Sequence, residues 1–239
     1  MTAVEATQPA GDSTSDSSEP SDSSEPPTPA SEPAGPRPWP WAASIPAALA
    51  GGGALLLSFP SYHLWWLAPI GVALIALAVH RRRIRAGFGL GTLAGLALFV
   101  PMLQWTHIVG GALPWLLLAV LQALYLGLLG AASAYASPLV DRHRWMWPLV
   151  TAVLWVGQEA LRDRTPFGGF PWGRLAFSQA DSPALRFAVL GGAPLVTFVV
   201  AAAGGLLVLA ARHTTVRSIT AFVVGAAAVF LVGFAVPTS

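Results

Sequence analysis

Seven apolar stretches of bilayer length occupy this chain between about residue 42 and residue 236, and they constrain its fold more than any motif does. Crossing about 30 Å of hydrocarbon takes roughly 20 apolar residues in a helix. Backbone groups in lipid must also be satisfied within the segment, which leaves helices or closed barrels. The stretches run over about 42–59, 64–80, 84–105, 113–136, 146–161, 187–211 and 216–236, and their length selects helices. The chain is 54% hydrophobic and 10% charged, which agrees with a membrane protein. The expected fold class is an all-α membrane protein: a bundle of about seven transmembrane helices with a disordered N-terminal tail.

The tail is residues 1–38, acidic and rich in Ser and Pro, and the polytopic domain is 39–237. Seven of the eleven acidic residues fall within the first 32 positions. That segment has too little apolar surface to offset its ordering entropy. It also begins acidic, unlike a secretory signal. Pro60 disfavours helix at Phe59, so a tight turn over 59–63 is expected between the first two spans.

All thirteen basic residues are arginine, and nine of them fall on one side of a seven-span reading: Arg37, Arg81, Arg82, Arg83, Arg85, Arg142, Arg144, Arg212 and Arg217. Arg162, Arg164, Arg174 and Arg186 fall on the other. The excess marks the cytoplasmic side. The N-terminus is then inside, with the 162–184 loop and the C-terminus outside. Setting topology accounts for these arginines, and no soluble basic domain is present to hold a nucleic acid. Trp65, Trp66, Trp105, Trp115, Trp145 and Trp147 fall near span ends, where amphipathic rings prefer to lie. Gly87, Gly91 and Gly95 form a small-residue face for close helix packing. The five histidines are scattered over separate loops without i,i+4 spacing, so no metal site is expected. Cysteine is absent, which removes disulfides, thiolate ligands and a thiol nucleophile.

The polar chemistry gathers in one stretch, Gln158 to Pro183, which holds three of the four acids found after residue 32. Glu159 and Arg162 are i,i+3 and lie on one helix face, where they can pair. An ionisable residue near a span is a functional candidate unless it merely pairs at the interface, and both readings stand for Glu159. Two adjacent glycines, Gly168 and Gly169, and two prolines within Thr165–Gly173 forbid a continuous helix. They favour a turn or re-entrant loop presenting Phe170 and Trp172. Trp172 reads either as a wall of a lipid-access site or as an interface tryptophan. Ser178 and Gln179 add a hydroxyl and an amide, and Asp181-Ser182-Pro183 suits a helix start.

Taken together, Leu154-Trp155, Gln158-Glu159-xx-Arg162, Gly169-Phe170-Pro171-Trp172 and Ser178-Gln179-xx-Ser182-Pro183 resemble the membrane domain of apolipoprotein N-acyltransferase. Leu57-Ser58-Phe59-Pro60-Ser61-Tyr62-xx-Trp65, Gly95 to Trp105, Leu124-Tyr125-Leu126 and Leu190-Gly191-Gly192 extend the resemblance to about 45–236. It implies a bacterial cytoplasmic-membrane enzyme that needs no cofactor. Such an enzyme moves an acyl chain from a phospholipid to the N-terminal cysteine amine of a diacylated apolipoprotein. It also implies a nitrilase-like domain with a Glu–Lys–Cys triad. This chain has neither Cys nor Lys, so no catalytic residue is assigned here, and a fragment, one part of a split protein and a degenerate relative all fit the sequence. The substrate-binding candidates are Trp172, Phe170, Pro171, Gly169, Glu159, Arg162, Gln158, Ser178 and Gln179, around a cavity open to the outer leaflet. The alternative is a non-catalytic anchor or scaffold for a partner such as a polyprenol-phosphate glycosyltransferase.

Overall fold

The structure is a computed structural model that describes residues 38–212 and 215–236. The expected disordered tail lies outside the described residues, apart from Pro38. Among the described residues there are nine α-helices, three short 3-10 turns and no strand. The helices are α1 Trp41–Ser58, α2 Leu67–Val79, α3 Ile84–Met102, α4 Thr106–Gly110, α5 Ala112–Tyr135, α6 Ser137–Arg142, α7 Trp147–Arg162, α8 Ala188–Arg212 and α9 Val216–Gly233.

Seven of these helices run between two ends of the bundle. At one end, Arg82 of the α2–α3 turn donates to Ser44 Oγ near the start of α1 (2.8 Å), and the Arg81 amide donates to Ser137 Oγ after α5 (2.9 Å). Arg212, closing α8, reaches His80, just past α2, at 2.8 Å. At the other end, Gln179 donates to the Trp65 carbonyl before α2 (3.3 Å), and Trp115 near the start of α5 donates to Val100 near the end of α3 (2.9 Å). Arg186, before α8, donates to Phe234, just past α9 (3.0 Å). Arg81, Arg82 and Arg212 are thus at one end, and the 163–187 segment is at the other.

Five helices are long and apolar enough to cross a membrane by length and composition: α1, α3, α5, α8 with its leading turn, and α9. Helix α2 is apolar but has 13 residues, and α7 has 16 and carries Gln158, Glu159 and Arg162. Both run the same course within the bundle. Helix α1 stops at Ser58 because Phe59, preceding Pro60, is held extended at φ −78°, ψ 160°. The third span ends at Met102 instead of near 105, and the chain adds α4, which the apolar pattern conceals. Its start is tied by Thr106 Oγ1 to the Leu103 carbonyl (2.7 Å), and Gly111 at φ 80° ends it.

The small-residue face of α3 meets α5 backbone to backbone. A methyl group on Gly87, Gly91 or Gly95 would strike Gly130, Leu126 or Ala123, so these two helices form the tightest seam of the bundle. Helix α8 is broken at Gly191 and Gly192; the latter has φ 65° and precedes Ala193-Pro194. Helix α9 leaves Val216, Val224, Leu231 and Val232 more than half exposed, as expected of a lipid-facing helix.

Candidate functional site

Helix α7 ends in a polar turn that organises everything up to α8. Arg162 is 1% exposed. Its guanidinium donates to the Trp172 carbonyl, to the Gly173 carbonyl (3.2 Å) and to Gln122 Oε1 of α5 (3.5 Å). Its own carbonyl accepts from the Phe170 amide at 3.0 Å. One residue therefore grips the Phe170-Pro171-Trp172-Gly173 turn from both sides. Two or more charge-assisted bonds from a rigid fork specify a geometry better than a point charge would. The Phe99 ring lies 5.3 Å beneath the guanidinium.

Glu159 holds a second set of contacts. Its Oε1 accepts from the Leu175 amide (2.7 Å) and from Trp155 Nε1 (3.3 Å). Its Oε2 accepts from Thr197 Oγ1 of α8 (2.9 Å). The Glu159–Arg162 pair that the i,i+3 spacing allows does not form. Each side chain instead bonds to segments distant in sequence, which removes the need for a direct pair.

Gln179 is fully buried and closes the segment. It donates to Trp65 O and to Ser178 Oγ (2.8 Å) and accepts from Ser182 Oγ (2.8 Å). Ser178 in turn donates to the Leu175 carbonyl at 2.7 Å. Ser182 caps the 3-10 turn Pro183–Phe187 by accepting from the Ala184 amide, so the expected helix start is met one short turn before α8. Tyr125 of α5 donates to the Thr165 carbonyl at 2.6 Å, and Asp163 pairs with Arg174 across the base of the loop. Gly169 needs to be glycine: its φ is 80°, and a side chain would collide with the Asp163 carbonyl.

What this frame presents outward is aromatic. Trp172 is 56% exposed and lies against Trp105, itself half exposed, with ring centroids 5.8 Å apart. Phe167 is fully exposed at the tip, Pro171 is exposed, and Phe170 is half-buried against the core. Next to Trp105, α4 exposes Ile108 and Val109. The pairing of Trp105 with Trp172 and the apolar face of α4 belong to this site and were missed by the sequence reading, which took Trp105 as an interface ring. Beneath the loop the space is small: a void of about 10 Å³ lined by residues including Phe99, Trp155, Gly173 and Leu175. The large apolar groove, about 410 Å³, lies elsewhere, between α2, α8 and α9, and neither Phe170 nor Trp172 lines it.

Gln158 Oε1, Arg162 Nε and Arg174 Nε are buried without a hydrogen-bond partner, so the frame retains unused polar capacity. Among the described residues no cluster of three or more His, Asp or Glu side chains could hold a metal. Ser178 has no base beside it and donates to a backbone carbonyl. The arrangement holds a shape and offers a surface.

Residues 51–206 match the family model described as the apolipoprotein N-acyltransferase N-terminal domain. The chain is 38% identical over 169 residues to the apolipoprotein N-acyltransferase of Mycolicibacterium smegmatis, covering 70% of this chain and 28% of that protein. It is 36% identical over 177 residues to the Chromobacterium violaceum protein of the same name (70% of this chain, 33% of that one). It is 35% identical over 167 residues to that of Geobacter metallireducens (67% and 32%). The matched part spans about a third of the length of these relatives.

Proposed function

Because the chain belongs to the apolipoprotein N-acyltransferase family through its N-terminal domain, we propose that it serves as the membrane half of an N-acyltransferase. The reaction moves an acyl chain from a phospholipid to the N-terminal cysteine amine of a diacylated lipoprotein. The observation that carries this reading is that the family match, residues 51–206, includes the whole Arg162-held loop with its exposed Trp172. The 239 residues contain no Cys and no Lys. The thiol nucleophile and its partners must therefore come from a nitrilase-like domain outside this sequence, and this chain alone is inactive.

In this reading, Trp172 and Phe170, joined by Trp105, touch the acyl chain or the lipid-modified cysteine. Gly169 and Pro171 shape their turn. Gln158, Glu159, Arg162, Ser178 and Gln179 are positioning residues that hold the turn at the membrane surface. The arginine-rich end faces the cytoplasm and the 162–184 loop faces outward. The protein then sits in a bacterial cytoplasmic membrane.

The test is a chimera. Residues 51–206 of this chain replace the matching segment of the full-length M. smegmatis protein, and N-acylation of a diacylated lipoprotein is followed by mass shift. We expect acylation to persist, and Trp172→Ala to lower it about tenfold or more, as loss of a well-placed aromatic contact does. A chimera that inserts and folds but does not acylate would remove the proposal. Full activity in Trp172→Ala would remove that residue from the site.

A further inference from the structure

The opposite end of the bundle carries a charge arrangement that the proposed acyl transfer does not use. Asp141 of α6 has a 10% exposed side chain. Arg81 Nε reaches its Oδ2 at 2.5 Å, His80 Nε2 its Oδ1 at 3.0 Å, and Arg212 Nη2 its Oδ1 at 3.9 Å. Arg212 also donates to His80 Nδ1 at 2.8 Å. A ring nitrogen that accepts fixes the neutral tautomer, with the proton on Nε2 facing Asp141. Arg144 lies within electrostatic reach of Arg212. It is exposed, and its side chain makes no hydrogen bond or ion pair with another described residue. Two guanidinium groups thus meet one carboxylate beside a neutral histidine, with Arg144 in electrostatic reach of Arg212, so among the described residues three positive charges face one negative. Arg81 itself holds φ 55°, a left-handed conformation that non-glycine residues adopt at a cost. That conformation places its amide on Ser137 Oγ and its guanidinium on Asp141.

Exposed apolar side chains flank the cluster along the chain. Tyr135 at the end of α5 is 76% exposed, Trp145 before α7 is 71% exposed, and Leu139 of α6 is also exposed. Uncompensated guanidinium groups beside exposed rings and aliphatic side chains match a molecule with a phosphate at one end and hydrocarbon at the other. We propose that Arg81, Arg144 and Arg212 seat the headgroup phosphate of an anionic phospholipid at the His80–Asp141 pair, with Tyr135, Leu139 and Trp145 against its glycerol and upper acyl carbons. This site is at the bundle end remote from Trp172 and independent of the acyl-transfer reading. The shared chemistry is a phosphate anion, and free phosphate is the other source of it.

The test uses the full 239-residue chain, delipidated in mild detergent, with phosphatidylglycerol and phosphatidylcholine as probes and native mass spectrometry as the readout. Phosphatidylglycerol should be retained in preference to phosphatidylcholine. Arg144→Gln should lower that retention about fivefold, as expected for loss of one basic contact at an anionic headgroup. Arg85→Gln, an exposed arginine of the same end, should leave it unchanged. The Arg144 side chain bonds to no described residue, so Arg144→Gln removes charge without removing a contact of the fold. Equal effects of Arg144→Gln and Arg85→Gln would overturn the site in favour of diffuse surface charge, as would no preference between the lipids. Millimolar inorganic phosphate separates the two sources. If it fails to displace the lipid, and Trp145→Ala weakens retention, the lipid assignment stands. Displacement by inorganic phosphate together with an inert Trp145→Ala would overturn the lipid in favour of free phosphate.

Discussion

At the Arg162 end, buried charges bond mainly to backbone: Arg162 to the carbonyls of Trp172 and Gly173, Glu159 to the amide of Leu175. At the His80 end, buried and half-buried charges bond mainly to one another, around Asp141. The difference follows from what each end has to hold. The first must fix about 25 residues of irregular chain, whose amides and carbonyls would otherwise be orphaned near the membrane. The second joins helix ends through side chains, its backbone being mostly satisfied within the helices. A frame made of backbone bonds specifies a loop shape, whereas a cluster of charges specifies a protonation state.

The sharpest way to break this contrast is Arg162→Ala. It strips three acceptors of their buried donor at once. Each charge-assisted bond of this kind is worth about 1.5–3 kcal/mol, so loss of at least about 3 kcal/mol is expected. Proteolysis should then cut within 163–175 while the α3–α5 seam stays protected. An uncut loop would mean that Glu159 and Gln179 suffice to hold it.

Acid should act on the other end. Burial is the main reason that His80, just beyond α2, has its pKa lowered to about 4; Arg212 and Arg81 add to the effect and Asp141 opposes it. The unfolded chain takes up a proton near the ordinary value of 6.5, whereas the fold resists it until about pH 4. Stability present above pH 6.5 should therefore fall between those values, by up to roughly 3 kcal/mol. The groups facing the ring are Asp141, Arg81 and Arg212, with Arg144 in reach of Arg212 and Trp147 beside the ring. Melting in detergent from pH 7 to pH 4 measures this, and His80→Asn should flatten the curve. An unchanged slope in that variant would place the acid sensitivity elsewhere.

A smaller effect comes from the seam that joins the two ends. Gly91→Ala puts a methyl group into the Leu126 carbonyl, and overpacking of this kind costs about 1–3 kcal/mol. Thermal melts should show the loss, and Gly89→Ala on the open face should not. The smallest effect belongs to the exposed pair His63–Asp181, with side chains 63% and 55% exposed. Breaking it with His63→Ala should cost under about 1 kcal/mol in the same assay.

Much of the bundle was legible in the sequence because lipid makes helix length and arginine placement strongly informative. The α1 stop at Phe59, the small face of α3 and the shared end of Arg81, Arg82 and Arg212 all follow from local rules. Helix α4 was not legible, since its five residues, Thr106–Gly110, are too few to show a helical period and fell in the gap between two spans. The site was half legible. Gln158, Glu159, Arg162 and the glycine-rich turn stood out as polar or irregular residues in an apolar chain. Their partners did not, because Gln122, Tyr125 and Thr197 come from α5 and α8 and no spacing rule links them to α7. The i,i+3 rule offered Arg162 to Glu159, and contacts across 16 and 38 residues took Glu159 away.

The 13 residues of α2 reach only about 20 Å along the helix axis, well short of the hydrocarbon thickness that α5 and α8 can cross. Ten of its residues are buried by neighbouring helices, so lipid does not have to thin around it. Just past its last residue, His80 is 3% exposed, and that burial shields the ring from bulk ions. Mobile salt screens exposed charges over a length of about 10 Å at 0.1 M and screens buried pairs much less. Raising ionic strength should therefore weaken the His63–Asp181 contact and leave the His80–Asp141 contact nearly untouched.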